Sequence, residues 1–150
     1  GTPNSHACVT RRAAECHGLE NVCSVGVRAI GREELERDEV IRHVTAFEVM
    51  DNGIEWAMKQ ALDGLKADKV YLSIDIDGID PAYAPGTGTP EPFGLLPIQV
   101  KKAINIVGER LAAFDVMEIC PPADHSGITA ILGARLINEA LAVLGKNLRQ

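Results

Sequence analysis

The sequence has no excess of positive charge. Fifteen Lys and Arg stand against 21 Asp and Glu, for a formal net charge of -6 and a pI near 5.2. Nucleic acids, which are held by clustered cations, are therefore not an expected partner. The acidic balance suits a cationic small molecule, and it suits equally well an acidic soluble protein with no such ligand. Cysteines are few: Cys8, Cys16, Cys23 and Cys120 form no CxxC pair and follow no secretory leader. Neither a zinc site nor a disulfide framework is expected, and reduced thiols in a cytoplasmic protein are the simpler account. No apolar run is read as approaching the roughly 20 residues that cross a bilayer, and there is no internal repeat or interdomain linker. An initiator Met is also missing. Gly1-Thr2-Pro3-Asn4-Ser5 leads straight into a helical pattern, as if the chain began inside a longer sequence.

What is present is a hydrophobic content of 46% in 150 residues, enough for the core of one domain. Helical spacing is expected from Cys8 to His17, and a strand from Asn21 to Val27. A charged helix opens at Gly31-Arg32-Glu33-Glu34-Leu35 and runs to about Ile41, with a second strand at Val44 to Val49. Asp51 or Asn52 can cap the next helix, whose buried stripe is Ile54, Met58, Ala61, Leu62 and Leu65. Lys69 to Asp77 is the clearest strand. A Pro/Gly segment from Gly78 to Pro92 follows, carrying four of the eight prolines, Pro81, Pro85, Pro90 and Pro92. Pro97 suits the first position of a helix that shows Val100, Ala103, Ile104, Val107 and Leu111 on one face. Phe114 to Ile119 is the fourth strand and Ser126 to Leu144 the last helix. Alternating strands and helices imply an α/β fold with parallel pairing, in which chemistry collects at the carboxyl ends of the strands.

At one such end stand Asp75 and Asp77. Two residues apart on a strand, they would share a face, and two carboxylates aimed at one point repel unless a cation lies between them. Oxygen ligands of this kind suit Mg²⁺, Ca²⁺ or Mn²⁺. An isolated Asp-x-Asp more often caps a turn with one carboxylate and leaves the other solvated. A calcium loop fails on spacing, because its twelfth position, counted from Asp75 or Asp77, falls on Gly86 or Gly88 instead of Glu.

The surrounding run, SIDIDGIDPAYAPGTGTPEPFGL from Ser73 to Leu95, resembles the signature of the ureohydrolases, the arginase and agmatinase family, over its 23 residues. DVMEICPPADHSGITA, Asp115 to Ala130, resembles the agmatinase type, and NSHACVTRR, Asn4 to Arg12, is similar to a family segment that supplies a histidine. The resemblance implies a three-layer arginase-type fold whose first part lies outside this chain, residues 1–150 being the C-terminal portion of one ureohydrolase domain. It implies Asp75 and Asp77 as ligands of a two-manganese centre that activates water, with Asp77 able to relay a proton. Glu118 would pair with the substrate guanidinium, and His6 would exchange a proton with solvent for the departing amine. Asp80 resembles a loop-shaping position, and Thr87, Gly88 and Thr89 resemble pocket-lining residues. His125 is expected to serve the turn or the N-cap region of the last helix, while His17 and His43 have no motif context. Glu118, at the end of an apolar strand, reads as a buried carboxylate in need of a partner.

The implied reaction is hydrolysis of a guanidino compound, agmatine first, to urea and an amine, putrescine in that case. Arginase or guanidinobutyrase activity is the alternative, and so is a non-catalytic module that keeps the fold for binding or oligomer formation. A hydrolase of another C–N bond would release ammonia instead. The implied assembly is a trimer or hexamer in the cytoplasm, with no nucleic acid and no membrane partner. The family's further metal ligands, a His after an earlier strand and an Asp-Ala-His-x-Asp segment, have no counterpart among these residues. The 150 residues alone are therefore expected to show little or no urea release with added Mn²⁺; a colorimetric urea assay giving full-length turnover would contradict this.

Overall fold

Strand and helix alternate along the chain as its β-branched runs and amphipathic stretches require. The structure, a computed structural model, describes residues 4–31 and 41–149. The main elements are α1 (Val9–His17), β1 (Cys23–Val27), β2 (Arg42–Thr45), α2 (Ala46–Asn52), α3 (Ile54–Asp63), β3 (Val70–Asp75), α4 (Pro97–Val107), β4 (Leu111–Met117) and α5 (Ile128–Asn147). The charged helix expected between Gly31 and Ile41 falls on residues 32–40, outside the described residues. Pairing is parallel as expected. Among the described residues it forms two two-stranded ladders, β1 with β2 and β3 with β4, where the sequence pattern predicts one sheet.

One apolar core joins the two ladders. Val44 of β2 and Ile74 of β3 belong to the same buried cluster as Val49, Ile54, Ile104, Leu111 and Leu136. Each such aliphatic side chain contributes about 1.5–3 kcal/mol on burial. Pro97 opens α4, and Val100, Ile104 and Val107 form its inner face, as the spacing predicts. Leu111 does not extend that face: Gly108, with φ 53, ends the helix and Leu111 is the first residue of β4.

Of the boundaries that differ from the sequence reading, three do so for a clear local reason. The strand predicted at Val44–Val49 stops at Thr45, because Thr45 and Glu48 form a reciprocal cap that starts α2. The Thr45 hydroxyl accepts from the Glu48 N–H at 3.1 Å, and the Thr45 N–H donates to Glu48 Oε2 at 2.8 Å. Neither Asp51 nor Asn52 caps α3. Both belong to α2, and Gly53, with φ 86, separates the two helices. Finally α5 begins at Ile128; His125 lies in the turn before it, as expected, and Asp124 serves the first amides of the helix. The Asp124 carboxylate accepts from Thr129 N–H at 3.3 Å and Ala130 N–H at 2.9 Å. Burial would raise the Asp124 carboxyl, but these donors outweigh it and hold it below the ordinary range.

α5 is 20 residues long with a mean hydropathy of 1.5, enough by length and composition to cross a membrane, which the sequence reading did not register. A core helix passes the same test. Here 28% of the apolar stretch is buried, Leu136, Ala140 and Val143 within it, while Ile131 and Leu141 are exposed.

Replacing Thr45 by Ala should cost about 1 kcal/mol, the usual worth of such a cap, read as a shift of the urea midpoint at constant slope. The Glu48 carboxyl is held below its ordinary range, first by the Thr45 backbone N–H and then by the Thr45 hydroxyl. A depressed folded value means that this stability is present above the unfolded carboxylate pKa and lost as pH falls through the folded one. Glu48→Gln should flatten that acid limb in pH-dependent unfolding.

Candidate functional site

β3 delivers Asp75 to the carboxyl end of its ladder, with Ile74 and Ile76 buried on either side. The strand then ends. Residues Ile76–Gly78 form a single 3-10 turn, so Asp77 is not a strand residue and strand alternation does not set its direction. The two aspartates are instead brought together by the turn, in which Asp77 N–H donates to Asp75 Oδ1 at 2.9 Å.

Almost every polar group of Asp77 has a partner. Its carbonyl accepts from Arg28 Nη2 at 2.6 Å, and its Oδ2 accepts from the hydroxyl of Thr89. The exception is Oδ1, which is buried and has no hydrogen-bond partner. Thr87 Oγ1 is the other such atom among the described residues, on a side chain that is 4% exposed. Buried polar groups are paired as a rule, so an orphaned carboxylate oxygen indicates a missing cation or donor.

The Pro/Gly segment is bent to this point by contacts at both ends and in its middle. Leu95 N–H donates to Gly78 O at 2.9 Å and Asp80 N–H to Leu95 O at 3.0 Å, closing the segment on itself. The Asp80 carboxylate spans the loop, accepting from Ala82 N–H at 2.9 Å and Gly94 N–H at 3.1 Å. Those donors, Ala82 first, lower its carboxyl. A Cβ at Gly94 would lie 2.4 Å from Asp80 N, so no side chain fits there. In the middle, Gly86 N–H donates to Thr129 Oγ1 at 2.8 Å and Gly86 O accepts from Cys120 N–H at 2.8 Å. These bonds tie the loop to the end of β4 and the start of α5.

Glu118 lies directly after β4, with a left-handed φ of 64. Such backbone costs a non-glycine residue about 1–2 kcal/mol and tends to persist where function requires it. Glu118 is exposed, so the sequence argument from a buried carboxylate does not hold for it. Its charge nevertheless reaches Asp75. The Asp75 carboxyl is raised above its ordinary range, chiefly by desolvation and further by the charges of Asp77 and Glu118. The Asp77 N–H and the nearby Arg28 oppose the rise. Asp75 still shows exposed surface as a residue; the desolvation comes from atoms packed about its carboxyl.

The other predicted catalytic residue lies near the start of the described chain. His6 is exposed on a short 3-10 turn and lines a surface hollow with Ser5, Val9, Arg12, Cys16 and His17, none of which is one of the three carboxylates. Arg28 is the residue that the sequence reading missed. A usable signal existed, since it directly follows β1 and so stands at the carboxyl end of a parallel strand.

A divalent cation fits this donor set in part. Asp77 Oδ1 and the Asp75 carboxylate are hard oxygen ligands, one orphaned and the other desolvated first and crowded by like charge second. Among the described residues no group of three or more His, Cys, Asp or Glu is arranged to hold a metal.

The family model described as the arginase family matches residues 1–143. The chain belongs to the arginase family. It is 41% identical over 151 residues to a guanidinobutyrase of Pseudomonas aeruginosa, covering 96% of this chain and 47% of that protein. It is 36% identical over 145 residues to an agmatinase of Bacillus subtilis, with 94% and 48% covered. The solved agmatine ureohydrolase of Thermoplasma volcanium superposes with a TM-score of 0.91 at 38% identity, over 99% of this chain and 50% of that one. The chain thus has the arginase-type α/β fold and spans about half the length of the curated relatives it matches.

Because left-handed backbone strains a non-glycine residue, Glu118→Gly should be at least as stable as the original and about 1 kcal/mol more stable than Glu118→Ala. Chemical denaturation of the two variants side by side reads this difference.

Proposed function

We propose that this chain is part of a single ureohydrolase domain that hydrolyses a guanidino compound with the help of two manganese ions, agmatine being the first candidate substrate. The observation that carries the reading is the buried, unpartnered Asp77 Oδ1 beside the crowded Asp75 carboxylate, on the strand end that the family match covers. Asp75 and Asp77 would hold the metal, and the remaining ligands would come from sequence beyond this chain. A bound divalent pair lowers the pKa of water into the neutral range.

The chain's own residues supply the rest. Glu118 can accept two parallel N–H bonds from a planar guanidinium and so fix its carbon, a charge-assisted contact. Asp77 Oδ1, the atom without a protein partner, would be the oxygen that holds the metal, and Asp77 is proposed to relay the proton as a metal-bound carboxylate. Its other oxygen is committed to Thr89. His6, exposed to solvent, is suited to exchanging that proton with bulk water on behalf of the departing amine. With agmatine and water the products are urea and putrescine. Guanidinobutyrate is the second reading, favoured by the 41% identity to a guanidinobutyrase. We further propose a homo-oligomer in the cytoplasm, a compartment compatible with the free thiols of Cys8, Cys16, Cys23 and Cys120.

Urea release by the full-length, manganese-loaded protein, measured against agmatine, guanidinobutyrate and arginine, tests the reading. Activity on one guanidino substrate is expected, and release of ammonia without urea would refute it. Glu118→Gln should lower kcat/KM by roughly 10- to 100-fold, the worth of one charge-assisted contact at about 1.5–3 kcal/mol.

A further inference from the structure

Arg28 follows β1 immediately, after a strand made irregular by Gly26. That glycine is buried with φ 93, at a break in the β1–β2 register, and a Cβ there would stand 2.8 Å from Leu95 Cδ1. No ordinary side chain is accommodated at that position, which sets the direction in which the chain leaves the strand. From there the Arg28 guanidinium reaches two segments far along the sequence. Nη2 donates to Asp77 O at 2.6 Å and to Glu91 O at 2.6 Å. Nε donates to Glu91 O at 3.1 Å and Pro92 O at 3.0 Å, and Nη1 to Gly78 O at 3.5 Å. All of these acceptors are backbone carbonyls. One planar fork therefore holds both the turn that carries Asp77 and the far end of the loop that carries Thr89.

We propose that Arg28 is a positioning residue for the Asp77 carboxylate, and through it for a divalent cation at Oδ1; this rests on the metal-site reading given above. The reason lies in how Asp77 is restrained. Its N–H is held by Asp75, its carbonyl by Arg28 and its Oδ2 by Thr89, and these three points leave Oδ1 one direction. Arg28 provides the second restraint directly. It supports the third through Glu91 and Pro92, two and three residues beyond Thr89. Lysine cannot replace it, because an ammonium is a point donor on a flexible stem and cannot serve carbonyls of two segments in one plane.

The test uses the full-length protein, stripped of metal and titrated calorimetrically with Mn²⁺, as the original, Arg28→Lys, Arg28→Met and Asp77→Asn forms. Thermal unfolding of each metal-free form is measured alongside. Arg28→Lys is expected to fold and to bind Mn²⁺ roughly 10- to 100-fold more weakly, the range usual for residues that orient a ligand. Asp77→Asn should lose more. A purely structural Arg28 would lower the unfolding midpoint and leave Mn²⁺ affinity unchanged; that result, with Asp77→Asn still impaired, overturns the proposal and leaves the metal-site reading standing. Unchanged affinity in Asp77→Asn overturns the metal-site reading itself, and this proposal with it. If the Met variant does not fold, the Lys variant decides. Failure of both to fold assigns the clamp to folding and also overturns the proposal.

Discussion

Between the end of β3 and the start of α4 the chain runs for about twenty residues with a single isolated strand bridge, between Ile79 and Leu95. Its middle is nonetheless packed inside, Ala84 being fully buried and Thr87 nearly so. A buried backbone without a ladder must find other partners for its N–H and C=O groups. The rest of the structure depends on how it does so. Asp80 satisfies amides from inside the loop, Arg28 satisfies carbonyls from the side of β1, and Cys120 and Thr129 hold Gly86 from the side of β4 and α5. The loop thereby becomes the junction of the two ladders, and the groups with chemistry to offer lie along its seam.

This arrangement makes the two oxygens of Asp77 unlike each other. One accepts a hydrogen bond from a hydroxyl and the other is buried without a donor, an unfavourable state for protein alone that a cation would relieve. Glu118 shows a second cost, paid in backbone conformation rather than in lost hydrogen bonds. Two local penalties, on residues whose charges both act on Asp75, indicate that this end of the sheet is shaped for something other than its own stability.

Much of this was readable in the residues. The inner faces of α3 and α4 follow the 3.6-residue period, and Pro97 stands where a helix can begin. The misreadings share a cause. At Thr45 the β-branched pattern carries the strand on to Val49, although the Glu three positions later makes Thr45 the cap at which it ends. At Asp77 the alternation of β3 was extended past its end, where the chain had already turned. In both cases a short-range hydrogen bond from a side chain overrode a periodicity argument, and periodicity says nothing about where it ceases to apply.

The sequence by itself determined the family, the parallel α/β layering and the acidic pair, because these follow from motif order and hydrophobic spacing, which are local properties of the chain. Only the tertiary structure decided which oxygen of Asp77 is left without a partner and that Glu118 is exposed on left-handed backbone. It alone revealed Arg28, which bonds to carbonyls 49 to 64 positions away in the sequence. Backbone carbonyls carry no residue identity. A side chain whose partners are carbonyls therefore leaves no pairing pattern in the sequence, and its role emerges only when folding brings the segments together.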